Sequence, residues 1–140
     1  MVRSAEPDGS RHHQRSASLD EGALTGEVAS ALVHLHREHF GRGPANARAY
    51  IGEDILVCVL IDVYTQVERT LIDLGKTEIV RETRLIYQRA VEEQYVQIVE
   101  RITGREVTGF ASTVTFDPDQ AIDFFSIAPS KPRVPPHART

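Results

Sequence analysis

Gly41-Arg42-Gly43-Pro44, with Arg48 close behind, is the place in this chain where backbone freedom and positive charge coincide. Glycines let successive amides converge on one point and guanidinium groups add charge-assisted hydrogen bonds, so the corner could hold a small anion. Thr65, Glu68 and Arg84 are the further polar positions that could join such a site. The competing reading is structural: Gly41 stops a helix and Pro44 follows where a helix cannot continue. A helix ending at Gly41 would also present its negative end, which opposes an anion.

Other chemistry is less promising. His34, His36 and His39 suggest a metal, but on a helix positions 34 and 36 are about 200° apart, so the three cannot converge on one ion. With no acid or cysteine at ligand spacing, no metal is expected, and the histidines read as one half-buried and two solvated rings. Cys58 lies within an apolar run and has no neighbouring base to lower its pKa, so it reads as a small hydrophobe. Arg81, Arg84 and Arg89 alternate with Glu78, Glu82, Glu92 and Glu93, the pattern of a solvated helix face. There is no Gly-x-Ser-x-Gly, phosphate-binding loop, dinucleotide fingerprint or Cys-x-x-Cys. No catalytic residue and no cofactor are assigned, and the chain reads as a non-enzyme.

The elements that would position these residues follow from periodicity. Leu24, Val28, Ala31, Leu32, Leu35 and His39 share one helical face that stops at Gly41. Residues 46–51 and 55–62 are β-rich runs joined by Gly52-Glu53-Asp54, a hairpin composition. The second run is apolar on both faces, so its strand should be central, or covered on its second face by a partner chain. Thr65-Gln66-Val67-Glu68 has the form of a capping box opening a long helical region. Gly75 interrupts that region, Thr77 can recap it, and Gly104 ends it. Leu85 and Val96 fall opposite its apolar stripe, either as scattered surface residues or as a thin contact for a second chain. A second hairpin, residues 106–116 and 121–128, turns at Asp117-Pro118-Asp119-Gln120. The fold class is therefore α+β: helix, β-hairpin, long helix, β-hairpin, giving a four-stranded, mainly antiparallel sheet with its helices on one face.

Composition bounds the rest. A length of 140 residues that are 41% hydrophobic suits one domain. Residues 1–20 are too poor in large apolar side chains to offset ordering entropy and read as a disordered tail. Residues 129–140, with four prolines and scattered basic residues, read as a second tail, leaving residues 21–128 as the domain. No apolar run reaches the roughly 20 residues of a membrane-spanning helix. The start lacks a secretory pattern and one cysteine cannot form an internal disulfide, so a cytoplasmic location is expected. Residues 23–128 carry 10 basic and 16 acidic side chains, a net of −6, which disfavours nucleic acid as a partner.

Phe40-Gly41-Arg42-Gly43-Pro44, followed by Arg48, Tyr50 and the strand from Ile55 to Leu60, begins a recognisable series. Thr65, Glu68, Leu71, Gly75, Arg84, Ile102-Thr103-Gly104 and Val107 continue it. Over residues 24–127 the chain resembles the MpsC-like family, named for a component of a sodium-translocating membrane-potential-generating system. Two positions depart from the family pattern: Tyr64-Thr65 stands where Leu-Thr is usual, and Phe110-Ala111 where a His is common near the third strand. The resemblance implies a small bacterial cytosolic protein, accessory to membrane ion transport or bicarbonate handling, and it brings no catalytic residue. It also singles out Arg84. The leading expectation is an accessory or regulatory protein acting through homo-oligomer and partner surfaces, including a membrane transport complex. The alternative is a small-anion sensor, or an undetected enzyme, using Arg42, Arg48, Thr65 and Arg84.

Overall fold

A computed structural model describes the backbone of residues 9–130 and the side chains of residues 21–130. The expected order of elements is observed. Helix α1, Gly9–Phe40, leads into strands β1, Asn46–Ile51, and β2, Ile55–Ile61. Helices α2, Gln66–Asp73, and α3, Thr77–Thr103, follow, and β3, Val107–Phe116, and β4, Asp119–Ile127, complete the chain. Helix α1 reaches back to Gly9, into the segment read from composition as a tail. No proline falls between Pro7 and Pro44, and Ala, Arg and Gln propagate a helix well, so the backbone can continue where burial alone gives no reason to. Residues 1–8 of the first tail, and residues 131–140 of the second, lie outside the described residues.

The sheet order is β1-β2-β4-β3, and every neighbouring pair is antiparallel. Strands β2 and β4 are central, β1 and β3 are edges. The capping box forms as the sequence indicates: the Thr65 hydroxyl accepts from the Glu68 amide and the Glu68 carboxylate accepts from the Thr65 amide. Thr77 does not recap α3. It is the first helical residue, behind Lys76, which makes no side-chain cap. Gly41, Gly75 and Gly104 all adopt positive φ at helix ends.

One core lies between the sheet and the helix layer. It joins Val28, Leu32 and Leu35 of α1, Leu56, Cys58 and Leu60 of β2, Val91, Tyr95 and Val99 of α3, and Phe125 and Ile127 of β4. Burying each such aliphatic or aromatic side chain contributes roughly 1.5–3 kcal/mol before ordering entropy is subtracted. The alternation of β2 is asymmetric: Leu56, Cys58 and Leu60 are buried against the helices, whereas Val57, Val59 and Ile61 are half-buried and Ile55 is exposed. Being central shields β2 at its edges, yet among the described residues no helix covers its second face. Cross-strand register extends that apolar face sideways, in one row through Tyr50, Val57, Phe124 and Ala111 and in the next through Arg48, Val59, Ile122 and Thr113.

Candidate functional site

Arg84 sits at the centre of the polar interior. The sequence places it in a solvated charged face, but it is only 5% exposed, because its i−4 and i+7 neighbours on that side of α3, Val80 and Val91, turn inward. Its Nε and Nη2 donate to the two oxygens of Glu68 at 2.6 Å each, a bidentate fork. Nη2 also donates to the Val63 carbonyl at 2.8 Å, and Nη1 to His36 Nε2 at 3.0 Å. The guanidinium carbon lies 4.0 Å from the Phe40 ring centroid and 5.2 Å from that of Tyr64. Four of the five guanidinium N–H groups thus have partners inside the fold.

The partners are fixed in turn. Because His36 Nε2 accepts from Arg84, its Nδ1 carries the proton and donates to the Arg42 carbonyl at 3.2 Å. Burial, and after it the charge of Arg84, lowers the His36 pKa to about 4, so the ring is neutral near pH 7. Burial works against ionised Glu68, but hydrogen bonds from Arg84 and from Thr65 outweigh it and hold the carboxyl below the usual range. Arg42 donates to the Tyr64 carbonyl at 2.6 Å and to Asp62 at 3.3 Å. Arg69 bridges Asp62 and Asp119, the latter at 3.3 Å. Asp62 holds a left-handed backbone, φ 61°, directly after β2. Three guanidinium groups therefore face three carboxylates, Asp62, Glu68 and Asp119, and the cluster closes without net charge.

Of the residues singled out from sequence, Arg42, Thr65, Glu68 and Arg84 converge on this cluster. Gly41 ends α1 with φ 80°, its amide donating to the Arg37 carbonyl at 2.9 Å. Gly43 lies under the Arg37 guanidinium, so that a Cβ would come within 2.9 Å of it, and Pro44 is buried. Arg48 is elsewhere: it is exposed on the open sheet face, opposite Val59. The glycine corner thus serves as helix stop and turn. An anion placed there would compete with Glu68 and Asp62 for arginines already engaged.

The histidines depart from the expected one half-buried and two solvated rings, since His36 rather than His39 turns fully inward and only His34 is solvated. His36 is buried, His34 is exposed beside Glu38, and His39 contacts Tyr87 and Gln94. Among the described residues, no group of three His, Cys, Asp or Glu could hold a metal ion. Cys58 is fully buried and its pKa is pushed up to about 12 by burial, which suits the hydrophobe reading. Tyr64, one of the departures from the family pattern, is fully buried, stacks on Phe116 at 5.3 Å and donates to the Thr115 carbonyl at 2.5 Å.

Besides His36, Asp62, Arg69 and Asp119 of the cluster, two more features have no counterpart in the sequence reading. Asp123 is buried in β4 on the core face and accepts from the Ser112 hydroxyl at 2.8 Å. Burial raises its pKa to about 7, against the smaller lowering influences of Ser112 and Arg84. The signal was present, since Ala121, Asp123, Phe125 and Ile127 alternate on one face. Between α3 and β3 lies a cavity of about 50 Å³ lined by Arg81, Arg84, Gln88 and Ser112, beside which Gln88 Nε2 is buried without a partner. Its size suits water rather than an organic ligand, whose sites usually enclose about 300 Å³ or more.

An open-faced α+β protein with a self-neutralised arginine cluster is the class that fold and site define. The chain belongs to the MpsC family, described as the Na+-translocating membrane potential-generating system (MpsC), whose model matches residues 20–128. That agrees with the resemblance read from its motifs. No curated protein and no solved structure matched the chain. Family membership points to a role in a Na+-translocating membrane-potential system. Among the described residues, no helix is long and apolar enough to cross a membrane.

Proposed function

We propose that this chain is a non-enzymatic accessory or regulatory protein, cytoplasmic, that serves a Na+-translocating membrane-potential-generating system through contacts with copies of itself and with partner proteins. The observation that carries this reading is the sheet face turned away from the helices, where Tyr50, Ile55 and Phe124 are 55%, 42% and 38% exposed around half-buried Val57, Val59 and Ile122. A contiguous apolar surface of this kind marks an interaction site. The polar cluster supports the same reading from the other side, because its arginines and carboxylates satisfy one another and so act as a brace joining α1, β2, α2, α3 and β4.

The rival small-anion reading would have to take Arg84 from Glu68 and Arg42 from Asp62, and Arg48 stands on the wrong face to help. No observation favours it. Affinity purification of the tagged full chain from its native membranes, with mass spectrometry, tests the proposal. Membrane-embedded Na+-translocating components should be recovered with it, and their absence would refute the proposed role.

A further inference from the structure

We infer that the open sheet face is the seat of a second copy of this chain, two sheets stacking face to face into an eight-stranded sandwich. This deepens the proposed function by naming the partner at that surface. The sheet has four strands, with β2 seven residues long and β4 nine. At roughly 4.8 Å between strands and 3.3 Å per residue, the face measures about 19 by 23 Å. That is a flat footprint of roughly 430 Å² per copy, or about 870 Å² for the pair before side-chain relief is counted. Stable interfaces begin at about 1,200 Å² in total, which side-chain relief brings within reach.

The chemistry of the face suits self-association. Its centre is Val57, Val59, Ile122 and Phe124, from two central strands in direct register. Its margin is polar and nearly uncharged: Asn46, Gln120, Thr113 and Ser126, with Arg48 the one ionised side chain among them. An apolar middle stripped of charge within a polar rim is the anatomy of a protein interface. A two-fold axis through the middle sets each copy's apolar rows against the same rows of the other, so that nothing buried lacks a match. The off-centre Arg48 groups of the two copies can remain in solvent at the margin. Sheets so joined would stand about 10 Å apart with their strands either near −30° or near perpendicular.

Light scattering after gel filtration of the full chain at about 50 μM tests this. The expected mass is twice 15.6 kDa, falling toward 15.6 kDa on dilution. Val59→Lys and Ile122→Lys should each give monomers that retain the far-ultraviolet circular dichroism of the parent. Thr113→Arg changes an exposed residue with no core contact, so it spares the fold and should shift the dimer at least tenfold toward monomer. A wild-type monomer at 50 μM would overturn the inference, as would a dimer that survives all three substitutions, since its contact would then lie elsewhere. Should the dimer form while no Na+-translocating component is recovered from membranes, the proposed function fails and this inference stands. The reverse result sinks the inference and the self-contacts of the proposed function, while its contacts with partner proteins stand.

Discussion

Asp123 and His36 titrate in opposite senses, and replacing one should unmask the other. Asp123 faces Cys58 across to β2, Ser112 on β3 and Tyr95 and Arg84 from α3, and burial raises its pKa from 3.8 to about 7. Between those values the folded chain keeps a proton that the unfolded chain has released, so stability falls as pH rises, by about 4 kcal/mol across the interval. His36 runs from 6.5 down to about 4. Between those values the unfolded chain holds the extra proton, so stability rises with pH, by about 3 kcal/mol. From pH 4.5 to 6.5 the two slopes nearly cancel. Asp123→Asn keeps the shape and removes one slope, so its unfolding free energy should climb by roughly 2–3 kcal/mol between pH 4.5 and 6.5 while the parent stays nearly flat. Above pH 7 the variant should exceed the parent, by up to about 4 kcal/mol less whatever the amide loses in fit. Urea denaturation at four pH values reads both effects. Parallel curves for parent and variant would refute the assignment of a protonated Asp123 and a neutral His36.

Glu68→Ala strands the buried Arg84 charge and should cost about 3–5 kcal/mol in urea denaturation, whereas Arg84→Met with Glu68→Leu, which removes both charges, should recover most of it. Gly41→Ala forces a side chain into φ 80° and should lower stability by about 1–2 kcal/mol, read in the same way. Carboxylates, bicarbonate and phosphate, each at millimolar concentration, should leave the melting temperature unchanged. A rise of several degrees with one of them would revive the anion-sensor reading, because a ligand bound only to the folded chain adds stability.

The sequence discloses those parts of the fold that rest on local rules. Strand alternation placed β2, the Thr65 capping box placed the start of α2, and glycines placed three helix ends, since each depends on residues within a turn of one another. Strand order was not legible, because β2 meets β4 across about sixty residues and nothing local sets that pairing. Of the polar cluster, Arg42, Thr65, Glu68 and Arg84 were legible as one group, but its burial and its members His36, Asp62, Arg69 and Asp119 were not. Around Arg84 the spacing of acids and bases looks solvated, and only the distant His36 and Glu68, 48 and 16 residues away, reveal that it is buried. The double-sided apolarity of β2 is a local property of the strand and is visible in its residues alone. Its second face is covered by nothing else in the described chain, and that is the clue with the most to say about function.

Membrane potential in the native cell tests the account most directly, with the chromosomal copy replaced by Val59→Lys, a change confined to the open face. A chain that works by assembly predicts a potential as low as in the deletion strain, although the variant is folded and present at normal abundance. A potential equal to that of the parent would contradict the account, and would move the search for function to the arginine cluster.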